Sequence, residues 1–382
     1  MQTRAVSLVP PAAADAAAAA AATATAAATA ATPGLPRAPQ VLLVAPSRSL
    51  TFVERDVEIL SEEFGVEVLS RQELPSRRSL LPAMARRLWS GGFQLVYVWF
   101  ADPYDTPAIL WLARLFRVPS AVVVGGYEMV SLPALHYGAL RDRRNRRRLE
   151  KALARADALL PTSELLAGEI RALGCGSRLR VIPPGIDGDF FCPAGGPRER
   201  LVVTVATIAV ATSQVKGLDV FADCARLVPD ARFAILGPCE DDALAERLLR
   251  KAGGNLEIPG RRLGAGELRD WYRRAAVYAQ LSRRESFGVA LAEAMACACV
   301  PVATTAGALP WVVGDTGRLV APGRPGETAR ALVEALARGP ARAARQRIVA
   351  RFGAARRAAA LSDAVRTLIE TRGRELPPEA PA

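Results

Sequence analysis

From residue 40 onward the chain alternates between two hydrophobic rhythms. Short apolar runs stand at 40–45 (QVLLVA), 66–69 (VEVL), 95–100 (LVYVWF), 120–124 (SAVVV), 158–160 (ALL) and 179–182 (LRVI). Their length and β-branched content predict strands. Between them, residues 52–64, 107–116 and 141–155 predict helices, the first with Val53, Val57, Ile59 and Leu60 as its apolar positions. Pro183-Pro184-Gly185 and the proline-rich stretch 193–197 then interrupt the pattern. After them the rhythm restarts, with strands expected at 201–206, 232–236, 256–258, 277–281 and 300–302. Helices are expected at 217–227, 243–252, 265–274, 289–297, 328–337 and 341–371. Strands alternating with helices imply parallel sheets covered on both faces. The expectation is therefore α/β: two tandem Rossmann-like domains joined near 183–198. Ligands of such sheets bind beyond the carboxyl ends of the strands, so the cleft between two facing domains is the expected site.

Composition adds three points. Residues 12–32 hold sixteen Ala, four Thr and one Asp. Ala and Thr supply little apolar area and Asp15 interrupts the run, so the expectation is a low-complexity tail over 1–37 ending at the breaker PGLP, not a membrane span. Second, 50 Lys and Arg against 38 Asp and Glu give a net charge of +12, which favours anionic partners. An Arg-rich composition gives the same charge without a partner, and only three of the basic residues are lysine. Third, the six cysteines form no C-x-x-C pair and the only histidine is His136. A Cys/His zinc site or a Ser-His-Asp triad has little to work with, and scattered thiols fit a cytoplasmic protein.

The G-x-G-x-x-G and P-loop patterns are absent after every expected strand. The most informative stretch is ESFGVALAE, from Glu285 to Glu293, which follows the strand VYAQLS and opens a helix at Gly288. A helix start offers free N–H groups and a positive dipole end to an anion, and glycine permits close approach. Carboxylates on either side suit the hydroxyls of a sugar and a ribose. The same pattern also describes one Glu complementing the dipole and another exposed on the helix. Lys216-Gly217 follows a strand and an expected polar loop, Thr212-Ser213-Gln214, and precedes a helix. It reads either as a cation facing a phosphate or as a solvated turn lysine.

The segment VYAQLSRRESFGVALAEAMACACVPVATTAGALPWVVGDTGRLV, residues 277–320, resembles the donor-binding half of glycosyltransferase family 4. That family has the GT-B fold and an E-x7-E motif that matches Glu285 and Glu293. The stretch PTSELLAGEIRALGCGSRLRVIPPGIDGDFFCP, residues 161–193, is similar to the family's interdomain segment, and VKGLDVFADCARLVPDARFAILG, residues 215–237, to its lysine loop. The resemblance implies an acceptor-side domain over 38–190, a nucleotide-sugar-binding domain over 198–355, and a helix over 356–372 packing back toward the first. It implies retaining transfer from a nucleotide diphosphate sugar to a glycan or lipid-linked acceptor, with no cofactor and no essential metal. Glu285 would meet the donor sugar, Glu293 the ribose, and Ser286, Phe287, Gly288 and Val289 the sugar and diphosphate. Lys216 would stabilise the departing diphosphate, and Arg261 would lie near the base.

The chain also departs from the family. Many members carry an Arg just before the lysine loop, where this chain has ATIAVATSQ, and a His where it has Gly125-Gly126-Tyr127-Glu128. Ala298 stands where Gly is frequent. Arg283 or Arg284 would supply the missing charge. The alternatives are a non-catalytic nucleotide-sugar-binding protein of the same fold, or another enzyme of that fold such as a nucleotide-sugar epimerase. Asp102, Tyr127, Glu128 and His136 are acceptor-side candidates, though loop capping explains such residues equally well. The run RDRRNRRR from Arg141 to Arg148 holds six arginines in eight residues. It reads as a contact with an anionic membrane face or as a solvated helix in an Arg-rich chain. No nucleic-acid module is recognisable.

Overall fold

The computed structural model describes residues 38–135 and 137–376; the expected Ala/Thr-rich tail and His136 lie outside the described residues. The first half contains β1 (Gln40–Ala45), α1 (Thr51–Ser61), β2 (Gly65–Ser70), α2 (Leu80–Trp89), β3 (Phe93–Trp99) and α3 (Thr106–Leu115). It continues through β4 (Ser120–Val124), α4 (Arg143–Leu153), β5 (Ala158–Pro161) and α5 (Glu164–Ala172). The second half runs β6 (Glu199–Val205), α6 (Val210–Lys216), α7 (Leu218–Leu227), β7 (Arg232–Leu236), α8 (Asp242–Ala252), β8 (Leu256–Glu257) and α9 (Ala265–Arg274). Then follow β9 (Ala275–Gln280), α10 (Val289–Ala296), β10 (Val300–Thr304), α11 (Leu309–Val313), β11 (Arg318–Val320), α12 (Pro325–Leu336), α13 (Arg342–Phe352) and α14 (Ala354–Glu370).

The strands form two parallel sheets, ordered β2-β1-β3-β4-β5 and β11-β10-β9-β6-β7-β8. Their continuous apolar runs are explained by burial on both faces. In the first sheet Leu42, Val44, Val96, Val98 and Val122 join a core with residues of α2, α3, α4 and α5. The alternate residues Val41, Leu43, Leu95, Tyr97 and Val123 join a separate core with α1 and α14. The second sheet divides in the same way. Val202, Phe233 and Val277 pack under α7, α8 and α12. Leu201, Ala234 and Tyr278 pack under α9, α10, α11 and α13.

Two sequence expectations need correction and one is sharpened. Residues 341–371 are helical but break at Gly353, so the helix expected over 356–372 begins at Ala354. Gly353 is extended (φ −66°, ψ 152°), and a side chain there would meet the Val349 carbonyl at 2.6 Å. The chain turns at this point because it returns to the first half: Ile186 N donates to Phe352 O at 2.8 Å and Ala354 N to Ile186 O at 3.0 Å. Residues 179–182 are not a strand. They run beside β5 through Arg180 N to Leu159 O and Ile182 N to Pro161 O, both at 3.0 Å, with a single bridge at Leu179. The expected loop at 212–214 is helical, part of α6.

A buried ion pair fastens the returning helix. Asp56 of α1, fully buried, accepts Arg357 Nε at 2.9 Å and Nη2 at 2.8 Å. It also accepts Tyr97 OH at 2.7 Å and Trp99 Nε1 at 2.9 Å. Arg357 Nη1 reaches the carbonyls of Ile182 and Pro183 at 3.1 and 2.9 Å. One guanidinium thus ties α14, α1 and the connecting segment together, with its charge and all the named donors satisfied.

Candidate functional site

Of the expected site residues, Lys216 and the stretch from Glu285 to Glu293 lie beyond the carboxyl ends of β6 and β9. Gly217 adopts a left-handed conformation (φ +71°) that closes α6, and a side chain on it would fall 2.2 Å from the Leu281 carbonyl. Arg283 N donates to Val215 O at 2.7 Å. These contacts bring Lys216 to the loop after β9, where its Nζ bonds Glu285 Oε2 at 2.9 Å. Burial opposes the charge on Lys216, but the Glu285 carboxylate outweighs it and holds the ammonium above its ordinary pKa.

Glu285 is held from behind. Its Oε2 also accepts Gln280 Nε2 at 3.2 Å and Ser282 Oγ at 3.3 Å. Gln280 donates to Ser282 Oγ at 2.7 Å and accepts Tyr278 OH at 3.2 Å, and Tyr278 in turn accepts Val205 N at 3.2 Å. The Glu285 backbone is clamped by Ala308 N at 2.9 Å and by Gly307 (φ +65°), whose missing side chain would sit 2.2 Å from the Glu285 carbonyl. Such a relay fixes the carboxylate's position.

Gly288 (φ +95°) caps α10, whose first turn carries no acidic residue, so the positive end of the helix is not neutralised from within. Glu293 lies in the second turn and accepts Tyr272 OH at 3.3 Å. Burial pushes its carboxyl up to about 7, and the Tyr272 hydroxyl pulls it back only in part. Phe287 is an anchor: its buried ring packs edge-on to Phe352 at 5.3 Å and Trp311 at 6.1 Å. Val289 is exposed and Ser286 half-buried.

The structure gives other residues different work. Arg261 is exposed and bonds Glu267 Oε1 at 2.6 Å and Oε2 at 3.1 Å, beside the start of α9. The pairing holds Glu267 down at about 2. The Asp102 carboxylate accepts Tyr104 N at 2.7 Å, Asp105 N at 3.0 Å and Arg77 Nη2 at 2.9 Å, shaping the loop before α3. Glu128 is buried and accepts Gly125 N at 2.7 Å and Gly126 N at 2.9 Å. Burial raises its pKa despite those bonds. Both carboxylates therefore serve turns. Tyr127 remains exposed.

Residues from the first half nevertheless reach the pair. A side chain on Gly126 (φ +139°) would fall 1.9 Å from Ser286 Oγ, so the two loops are in direct contact. Arg284 Nη2 bonds Glu169 Oε2 of α5 at 2.7 Å, which commits Arg284 to a cross-cleft ion pair. Tyr137 stacks edge-on with Tyr127 at 5.2 Å. Burial raises its pKa, and it feels both Lys216, which lowers it, and Glu285, which raises it. Tyr137 and Glu169 escaped the sequence reading because their partners are far along the chain, although Glu169 stands inside the stretch 161–193 that resembles the family's interdomain segment. Among the described residues no group of three metal-ligating side chains occurs, and no helix is long and apolar enough to cross a membrane.

The profile described as Glycosyltransferase Family 4 matches residues 29–190, and that described as Glycosyl transferases group 1 matches 199–338. The chain belongs to glycosyltransferase family 4. This family 4 member is 30% identical over 235 residues to a D-inositol 3-phosphate glycosyltransferase of Xylanimonas cellulosilytica, covering 56% of this chain and 54% of that protein. It is 32% identical over 218 residues to one from Mycobacterium sp. (strain KMS), covering 50% and 47%. The chain thus spans about half the length of the curated relatives it matches. In structure it resembles sucrose-phosphate synthase from Thermosynechococcus elongatus, with TM-score 0.72, 17% identity, and coverage of 87% of this chain and all of that one. It also resembles Anabaena HepE in complex with UDP-glucose, with TM-score 0.68, 16% identity, and coverage of 86% and 100%. These likenesses establish the two-domain GT-B fold for this family 4 member.

Proposed function

We propose that this protein transfers a sugar, with retention at the anomeric carbon and without an essential metal, from a nucleoside diphosphate sugar to a hydroxyl acceptor. The observation that carries the reading is the Lys216–Glu285 pair beside the open end of α10, with Glu293 one turn further in. The helix end and Lys216 would receive the diphosphate, and Glu285 would hold the sugar. Glu293 would accept the ribose hydroxyls. As the bond from the anomeric carbon to the diphosphate breaks, its electron pair stays on phosphate, where Lys216 and the backbone N–H groups offset the growing charge. Ground-state pairing with Glu285 keeps Lys216 charged for that role.

A phosphorylated acceptor fits the names of the curated relatives, and the arginine run from Arg141 to Arg148 suits an anionic or lipid-linked one. The acceptor would enter past Tyr127 and Tyr137, with peripheral membrane contact through the run from Arg141 to Arg148. The test is calorimetric binding of UDP, GDP and ADP, with and without magnesium, to wild type and Glu293→Ala. Tight metal-free binding of one nucleotide, weakened by the substitution, is expected. No binding of any of the three would overturn the reading.

A further inference from the structure

The outer surface of α2, α3 and α4 combines two features that a solvated surface does not need together. The first is apolar. Trp89 is 84% exposed, Trp111 58% and Leu115 62%. Trp111 and Leu115 stand one turn apart on α3. Trp89, at the end of α2, packs edge-on to Phe116 at 6.4 Å, which places it beside the Leu115 end of α3. Single exposed apolar side chains are ordinary, but large ones gathered on neighbouring helices mark a contact surface.

The second feature is charge. Residues 77–151 contain thirteen Arg and Lys against five Asp and Glu. All five acids are already engaged. Glu128 is buried in its turn, and Asp102 and Asp105 bond Arg77. Asp142 caps α4 through Arg144 N, and Glu150 pairs with Arg146. Arg143, Arg144 and Arg147 are exposed, with no carboxylate within 4.0 Å among the described residues. Arg143 and Arg144 stand at the positive end of their helix, and Arg143 and Arg147 repel at i, i+4. A helix that needed only to be soluble would gain by exchanging them. The two features share neighbouring helices: the start of α4 meets the start of α3, where Tyr104 lies under the Arg148 guanidinium at 5.8 Å and accepts Asn145 Nδ2 at 3.2 Å, and Trp111 and Leu115 follow along α3.

We propose that this face docks on an anionic lipid bilayer. Trp89, Trp111 and Leu115 enter the boundary between headgroups and acyl chains, where tryptophan partitions well, and Arg143, Arg144 and Arg147 meet the anionic headgroups. The loop that carries Tyr127 and Tyr137 leads directly into α4, so docking would hold the acceptor side of the cleft at the bilayer. The inference rests on the membrane part of the proposed function but not on its donor chemistry. Its test reads vesicle binding alone, so the two fail separately.

The full chain is sedimented with vesicles of phosphatidylcholine, alone or with 30% phosphatidylglycerol, at low and high salt. Binding to the anionic vesicles only, lost at high salt, is expected. Changing Arg143, Arg144 and Arg147 together to Gln should weaken it about a hundredfold, at about fivefold per charge. Trp111→Ser with Leu115→Ser should weaken it about tenfold or more with an unchanged unfolding midpoint, and lipids brominated in their acyl chains should quench wild-type tryptophan fluorescence. Equal binding to neutral vesicles, or full binding by the Ser variant, would overturn the proposal. So would a lipid-free dimer, seen by ultracentrifugation and lost in the Ser variant, because a second copy would then be the occupant.

Discussion

Glu293→Gln should make the protein more stable while weakening its donor site. The substitution keeps the size and the Tyr272 contact but removes the charge. Burial raises the Glu293 carboxyl from an ordinary 4.5 to about 7. That gap of roughly 2.5 units corresponds to about 3 kcal/mol. The sign follows from the direction. A carboxyl whose folded pKa lies above its unfolded one binds its proton more tightly in the folded state. The stability this provides is complete below the unfolded value and lost as pH rises through the folded one. At pH 8.5 the wild type carries the full cost of a buried carboxylate; at pH 5 it carries under about 1 kcal/mol. Glutamine carries it at neither. The variant should therefore melt roughly 5–10 °C higher at pH 8.5, with the gain shrinking toward zero by pH 5. Thermal and urea unfolding across that range, without nucleotide, gives the answer. An equal or lower melting temperature at pH 8.5, or a gain that does not shrink on acidification, would refute the reasoning. Nucleotide-sugar binding at pH 8.5 should weaken in the same variant, the pattern of a residue kept for function at the expense of stability.

Lys216→Ala should lower kcat about 10²–10³-fold while donor KM changes far less, because the cation acts mainly on charge that develops during transfer; steady-state kinetics separates the two. Tyr137→Phe removes only a hydroxyl from the vicinity of the Lys216–Glu285 pair. It should change kcat or acceptor KM and leave donor binding measured by calorimetry as it was. Arg357→Met leaves Asp56 charged and buried and should cost about 3–5 kcal/mol in urea unfolding. Adding Asp56→Leu should recover much of that loss, and no recovery would mean that the pair's packing matters more than its charge.

The alternation of strands and helices was legible because strands covered on both faces have no choice but to be apolar throughout. Glu285 and Glu293 were legible for a similar reason: a strand, a glycine and a helix in series fix where an acid before and after the glycine must lie. Helix α6 was not, because VATSQVK is rich in residues that favour other backbones, and contacts with distant segments such as the loop after β9 help hold it in place. The helical pattern runs on through Gly353, so only the resemblance set a last helix apart near 356; the partner that ends the helix before it, Ile186, lies far back in the chain. Asp102 and Glu128 carry the residue types of a binding site, yet the turns beside them claim their oxygens first. Local hydrogen bonding of this kind leaves no mark in hydrophobic periodicity.

The fastening of α14 to the first sheet has a consequence for the order in which the protein is made. The ribosome releases the first sheet early, but the helix that covers one of its faces emerges only after the second sheet. Until then Asp56 lacks its guanidinium, and the apolar residues beneath α14 have no cover. The entire second sheet is synthesised in that interval and must fold beside an unfinished neighbour. A stop codon after α13 would thus remove more than a tail. It would leave the second sheet intact and the half that was translated first permanently incomplete.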